Sequence, residues 1–247
     1  MHESPRSSRR TVLRALGLSG WAALSGRSAD TARAAAEPRL FVFVPTFERP
    51  RAVGEALTAG LPGLSITTFG RFADFSAAIA GEKPEGVLAL GDTLSALGIE
   101  VALQGTVRGD AEEPYVALSK DREETVESVA TRVIGAVDVV GRSELPGLVQ
   151  RLLGAKHTPE VRRVLKVGDL LALLHLDLAT VLLLPERFQA ELQKQSQLAL
   201  RPLHLRTAHA RRTALGFPGG KPEPTMMLSL KRAPSTVQAL LGAEVWR

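Results

Sequence analysis

Four short stretches carry residue types suited to holding a small molecule: Thr46-Phe47, Gly91-Asp92-Thr93, Gly141-Arg142-Ser143 and Pro185-Glu186-Arg187. Each follows an apolar run that reads as a buried strand. In parallel α/β sheets, ligands sit outside the carboxyl ends of such strands. A guanidinium, hydroxyls and the free N–H groups of a helix start are the groups that favour an anion. Thr46, Phe47, Asp92, Thr93, Gly141, Arg142, Ser143, Glu186 and Arg187 are therefore the candidate ligand-binding residues. Plainer roles stand beside this one. Ser143 and Asp92 are expected to cap helices, alone or together with a ligand contact. Arg142 and Arg187 can serve as surface ion-pair partners, and Phe47 can cover a cleft or pack against Phe69 and Phe72.

Chemistry beyond binding has little support. The chain has no Gly-x-Ser-x-Gly elbow, no Gly-rich phosphate loop and no His-Glu-x-x-His helix. His157, His175, His204 and His209 are scattered, and His175 reads as a core residue of an apolar helix. No catalytic residue, metal site or cofactor is expected. Asp110, Glu112 and Glu113 lack the spacing of a cation loop and read as a solvated connector. With no cysteine in the sequence, disulfides, thiolate metal sites and a lipidated cysteine are excluded. Low aromatic content argues against a sugar-binding cleft.

The elements that must position the candidate residues alternate. Leu40 to Val44 is a continuous apolar run, and Pro50 opens a helix from Arg51 to Ala59. Strands are expected at residues 64–69, 87–90 and 99–103, with helices at 72–80 and 93–97 between them. This rhythm implies a parallel sheet covered on both faces. After the connector 104–114, a strand at 115–119 begins a second set: helix 122–131, strand 133–139, helix 144–153 with Ser143 as N-cap and Gly154 as C-cap, and strands 163–167, 179–184 and 198–205. A strand at 225–230 and a helix at 235–242 end the chain. Lys166, Asp169, His175 and Asp177 interrupt the apolar stretch 164–184, which therefore reads as strand–helix–strand and not as a membrane span.

The first 36 residues have a different character. Ser8-Arg9-Arg10-Thr11-Val12-Leu13-Arg14 resembles the twin-arginine export consensus, followed by a short apolar stretch and Ala34-Ala35-Ala36 as a small-residue cleavage site. This segment holds six arginines against Glu3 and Asp30, so most of the formal +5 charge lies there. The remainder is close to neutral, which removes the main support for nucleic-acid binding. Residues 201–247 keep a local basic excess that reads as a solvated face.

Two successive α/β sets, a connector and a terminal return resemble the type II periplasmic solute-binding proteins of ABC transporters. The order of segments is similar to the phosphate/phosphonate-type subgroup. The resemblance is carried by Leu40 to Thr46, Phe75 to Leu90, and Tyr115 to Gly154. It implies an α/β, two-lobed fold, each lobe a mainly parallel sheet flanked by helices. Residues 37–114, completed by 226–247, would form lobe 1, and 115–225 lobe 2. In that subgroup, small hydroxyl residues at the start of a second-lobe helix hold the anion. The matching turn here is Gly141-Arg142-Ser143, with a single hydroxyl. The implied function is capture of a small anion between the lobes, for delivery to an ABC permease or presentation to a membrane sensor. The implied setting is the periplasm, as a monomer without membrane insertion. A binding-protein fold acting as a protein interaction module is the alternative, and an exported enzyme a more distant one.

Overall fold

The computed structural model describes residues 37–120 and 124–247, so the export-signal reading of residues 1–36 lies outside the described residues. Strand β1 (Arg39–Phe43) is apolar on both faces and buried from Leu40 onward. This burial pattern is that of a strand covered by helices on either side. Its neighbours are β2 (Ser65–Thr68) and β3 (Gly86–Leu90), both parallel to it, with Phe41 opposite Thr67 and Val87. Helix α1 (Pro50–Gly60) links β1 to β2 and buries Val53 and Leu57, four residues apart on one face. Its first position is Pro50, whose fixed φ suits the first turn. Helix α2 (Phe72–Glu82) links β2 to β3, runs two residues beyond the expected 72–80 and ends on Lys83 in the left-handed region. Helix α3 (Gly91–Ala96) leads on to β4 (Val101–Thr106).

A turn at Val107–Asp110 delivers the chain to β5 (Glu112–Lys120), the entry to the second lobe. Helix α4 (Val126–Ala130) is shorter than the expected 122–131, and a reciprocal capping box between Thr125 and Ser128 sets its start. Next come β6 (Val133–Val137), α5 (Leu145–Leu153), β7 (Glu160–Val164), α6 (Leu170–His175), β8 (Val181–Pro185), α7 (Gln189–Gln195) and β9 (Leu200–Arg211). Gly154 ends α5 in the left-handed region, as expected. His175 is exposed rather than part of the core, because α6 turns Leu170, Leu173 and Leu174 inward.

The return to the first lobe comes at Arg212, earlier than the expected residue 226. Strand β10 (Thr213–Gly216) enters the first sheet antiparallel to both β3 and β4. The segment expected to be the returning strand is instead helix α8 (Pro224–Lys231). Glu223 accepts a hydrogen bond from the Thr225 amide and Pro224 occupies the first turn, a start signal that outweighs the strand-like run Thr225 to Leu230. Helix α9 (Ser235–Leu241) and a short edge strand β11 (Val245–Trp246) finish the chain.

The first sheet runs β11-β4-β10-β3-β1-β2 and the second β7-β6-β8-β5-β9. Each lobe thus places its first strand between its second and third, then an antiparallel crossover strand, then its fourth. The two lobes share this order although their sequences do not repeat. The result is the expected α/β two-lobed fold, and all the described residues belong to one compact unit. Among the described residues, no helix is long and apolar enough to cross a membrane.

The crossover strand packs tightly in the first sheet. A Cβ on Gly105 would lie 2.7 Å from Ala243 Cβ and 2.7 Å from the Thr213 carbonyl oxygen. Backbone cannot yield there, so Gly105→Ala is expected to cost about 2 kcal/mol, read as a lowered urea midpoint at unchanged m-value.

Candidate functional site

The carboxyl ends of β1 and β2 open into a cavity of about 400 Å³ between the lobes. Its floor is apolar, from Val42, Phe43, Val53 and Phe69. Its polar lining comes from Thr46, Glu48, Arg49, Arg71 and Asp74 in the first lobe, and Lys166 and Asp169 in the second. Arg49 and Arg71 are the N-cap residues of α1 and α2, and no side chain caps either helix. The first-turn N–H groups of two eleven-residue helices therefore bound one cavity. Lys166 and Asp169 pair with each other at 3.5 Å. Arg49 and Arg71 have no ion-pair partner among the described residues, which leaves their charges available to a ligand.

Of the residues picked from sequence, only Thr46 lines this cavity. Its carbonyl accepts a hydrogen bond from the Val167 amide of the second lobe at 3.1 Å, and its hydroxyl accepts one from the Glu48 amide. Phe47 neither faces Phe69 nor Phe72; it crosses to the second lobe and meets Phe188 edge-on, with ring centroids 5.5 Å apart.

The other candidates are engaged by protein groups. Thr93 is fully buried and donates its hydroxyl hydrogen to the Val139 carbonyl across the cleft at 2.7 Å. Asp92 caps no helix. One of its oxygens accepts from the Arg211 amide at 2.8 Å, and the other pairs with Arg151 of α5 at 3.1 Å. Glu186 lies 3.3 Å from His204 Nδ1. Arg187 is drawn inward to Glu113, at 3.1 Å, and is no surface partner.

The turn Gly141-Arg142-Ser143 is built differently from the expectation. Gly141 adopts φ +93°, and a Cβ there would lie 2.8 Å from the Phe72 ring. The ring of a first-lobe residue thus packs directly on the turn that leads into α5. Ser143 does not cap α5: the helix starts one residue later, with Glu144 as N-cap and no side-chain cap. Asp138 organises the turn instead, accepting the Gly141 amide at 2.8 Å while Arg163 pairs with its other oxygen at 3.0 Å. Arg142 and Ser143 are exposed beside it.

At the hinge, Glu113 is buried and not part of a solvated connector. It faces Arg187 at 3.1 Å and Arg212 at 3.6 Å. Burial pushes the Glu113 carboxyl up, against the downward pull of the two guanidinium groups. The neighbouring Tyr115 hydroxyl is raised by burial, and the Glu113 carboxylate adds to the effect. Among the described residues no cluster of three or more His, Cys, Asp or Glu side chains is placed to hold a metal ion.

Glu48, Arg49, Arg71, Asp74, Lys166 and Asp169 were not picked from the sequence. The signal for two of them was present: Arg49-Pro50 and Gly70-Arg71 each set an arginine immediately before a helix that follows a strand. Neither lies in the candidate stretches, which follow only the first and third strands of the first lobe.

No family model matches the chain, and no curated protein matches it either. Solved structures do. XAC2383 from Xanthomonas citri bound to ATP superposes with a TM-score of 0.56 at 13% identity, covering 85% of this chain and 90% of that one. The periplasmic VFT2 domain of BvgS from Bordetella pertussis gives 0.53 at 13% identity, covering 83% and 93%. The amino acid ABC transporter substrate-binding protein AbpA from Streptococcus pneumoniae, bound to L-arginine, gives 0.51 at 12% identity, covering 82% and 89%. The fold is therefore the two-lobed, Venus-flytrap type II periplasmic-binding fold.

The roles assigned to the 138–143 turn separate by mutation. Ser143→Ala is expected to leave stability within about 0.5 kcal/mol. Asp138→Ala strands the buried Gly141 N–H and should cost about 2 kcal/mol, both read by chemical denaturation.

Proposed function

We propose that this chain is an exported, two-lobed binding protein that captures a small anionic solute between its lobes. The observation that carries this reading is the convergence of Arg49, Arg71 and two uncapped helix N-termini on one interlobe cavity. Cationic side chains beside free helix N–H groups favour a phosphate, phosphonate or carboxylate. The cavity's volume falls in the range of small-molecule sites, and its apolar floor with a few placed polar groups is the usual composition of one. Glu48 and Asp74 give it charges of both signs, which suits a solute that carries a donor group as well as its anion. Fold neighbours with bound ATP, chloride ion and L-arginine support solute capture. The twin-arginine pattern of residues 8–14 supports export to the periplasm. Binding without chemistry, followed by delivery to an ABC permease or presentation to a sensor, is the role that fits.

The interaction-module reading rests on a different observation. Phe72 on Gly141 and Thr93 on Val139 fill the strand ends where the resemblance placed the solute. Thermal unfolding against phosphate, phosphite, phosphonates, sulfate, carboxylates and amino acids separates the two. A bound solute at a hundredfold excess over Kd stabilises by about 2.7 kcal/mol. The expected result is a raised Tm with one class of anion, lost in Arg71→Ala and weakened in Arg49→Ala, but retained in Arg142→Ala. A flat response across the panel from folded protein would transfer the assignment to the interaction module.

A further inference from the structure

One carboxylate at the hinge serves two buried guanidinium groups. Glu113 begins the crossing strand β5, Arg212 is the residue between β9 and β10, and the Arg212 amide donates to the Ala111 carbonyl across the hinge at 2.9 Å. Arg187, just beyond β8 in the second lobe, pairs with the same Glu113 oxygen. The cluster thus buries one more positive charge than negative. Arg212 relieves part of this by donating to the Gly242 carbonyl at the end of α9, at 3.3 Å.

Arg187 has no such relief. A fifth of its side chain is exposed, yet all three guanidinium nitrogens are buried and none makes an aligned hydrogen bond. Its Cζ lies 4.5 Å from the centre of the Phe188 ring. Its Nη1 is pressed against the backbone of Gly242 in the first lobe and occupies the space that a Cβ at 242 would need. Burial lowers the Arg187 pKa, which Glu113 only partly opposes. Glu113 Oε1 stands beside Nε, but Nη1 and Nη2 have no acceptor among the described residues; such buried donors are costly, whereas water would satisfy them at once.

We propose that Arg187 is a spring that favours opening of the lobes. Hinge opening moves Gly242 away from Arg187 and gives its nitrogens to water, while Glu113 retains Arg212 and is never left unpaired. The spring works against the contacts that hold the cleft shut: Thr93 to Val139, Val167 to Thr46, Arg151 to Asp92, and Phe72 on Gly141. A cleft balanced in this way opens and closes without a large net cost in either direction. The inference concerns lobe motion and does not depend on which solute the cavity takes, or on whether one binds.

The absence of cysteine makes the test direct. Ser65→Cys on β2 and Glu160→Cys on β7, edge strands of the first and the second sheet, carry a fluorophore pair on the full chain. Single-molecule energy transfer then reports lobe separation. Arg187→Met is expected to raise the closed-to-open ratio about tenfold, and Arg187→Gln to move it in the same direction should the methionine variant fail to fold. Gly242→Ala forces the guanidinium out and is expected to shift the population towards open. Combining it with Arg187→Met should return the population towards closed, because strain from the positive φ of residue 242 is common to both backgrounds. Opening on loss of Arg187, no change in lobe separation, or a Gly242→Ala effect that persists unchanged without Arg187 would each overturn the proposal. A flat solute panel with the expected lobe shifts would overturn only the solute-binding reading, so the two failures are distinguishable.

Discussion

Two strands that belong to neither lobe's own run of strand–helix units hold this molecule together. β5 enters the second sheet between β8 and β9, and β10 enters the first between β3 and β4. Each is antiparallel to its neighbours, and each follows directly from a crossing segment. A sheet that receives a strand in its middle cannot form until the chain has crossed, so neither lobe is finished without its crossover. The two crossings lie side by side, joined by the hydrogen bond from Arg212 to Ala111. The fold thereby gains a hinge of two adjacent backbone segments and a fixed end to the cleft.

Charge is distributed unevenly along that cleft. At the hinge end, Glu113, Arg187 and Arg212 are desolvated and satisfy one another only in part. At the open end, Arg49 and Arg71 face a cavity and have no ion-pair partner among the described residues. Between the two, the cleft is closed by direct contact, with the Thr93 hydroxyl on a backbone carbonyl and an aromatic ring on a glycine. The middle of the cleft is therefore spent on lobe–lobe contact, and positive charge free for a ligand is displaced towards β1 and β2.

Much of the architecture was legible in the residues because buried parallel strands leave a plain mark. Leu40 to Val44, Val87 to Leu90 and Val181 to Leu184 are unbroken apolar runs, and their alternation with helices marks the α/β plan. The errors share a cause. Strand β10 is four residues long, Thr-Ala-Leu-Gly, and its burial is imposed by the sheets it enters rather than marked by a long apolar run. Thr225 to Leu230 looks like a strand by composition, and only the Glu223-Pro224 start reveals the helix. Ser143 matched a helix cap by type, but the Leu145 amide, which such a cap would hold, donates to the Gly141 carbonyl instead.

The candidate site was less legible than the fold, for a reason that lies in three dimensions. The strand-end rule directs attention to the segments that follow the strands, some of which fold as helix starts, Asp92 and Thr93 in α3 among them. It does not say which loops the opposite lobe will cover. Phe72 decides that here: one aromatic side chain at the first position of α2 seals the Gly141 turn, while the residue before it, Arg71, is left facing the cavity. Adjacent residues at one helix start thus take opposite roles. The sequence pattern shows a basic residue followed by an aromatic one, and only the approach of the second lobe determines which of the two remains open to a solute.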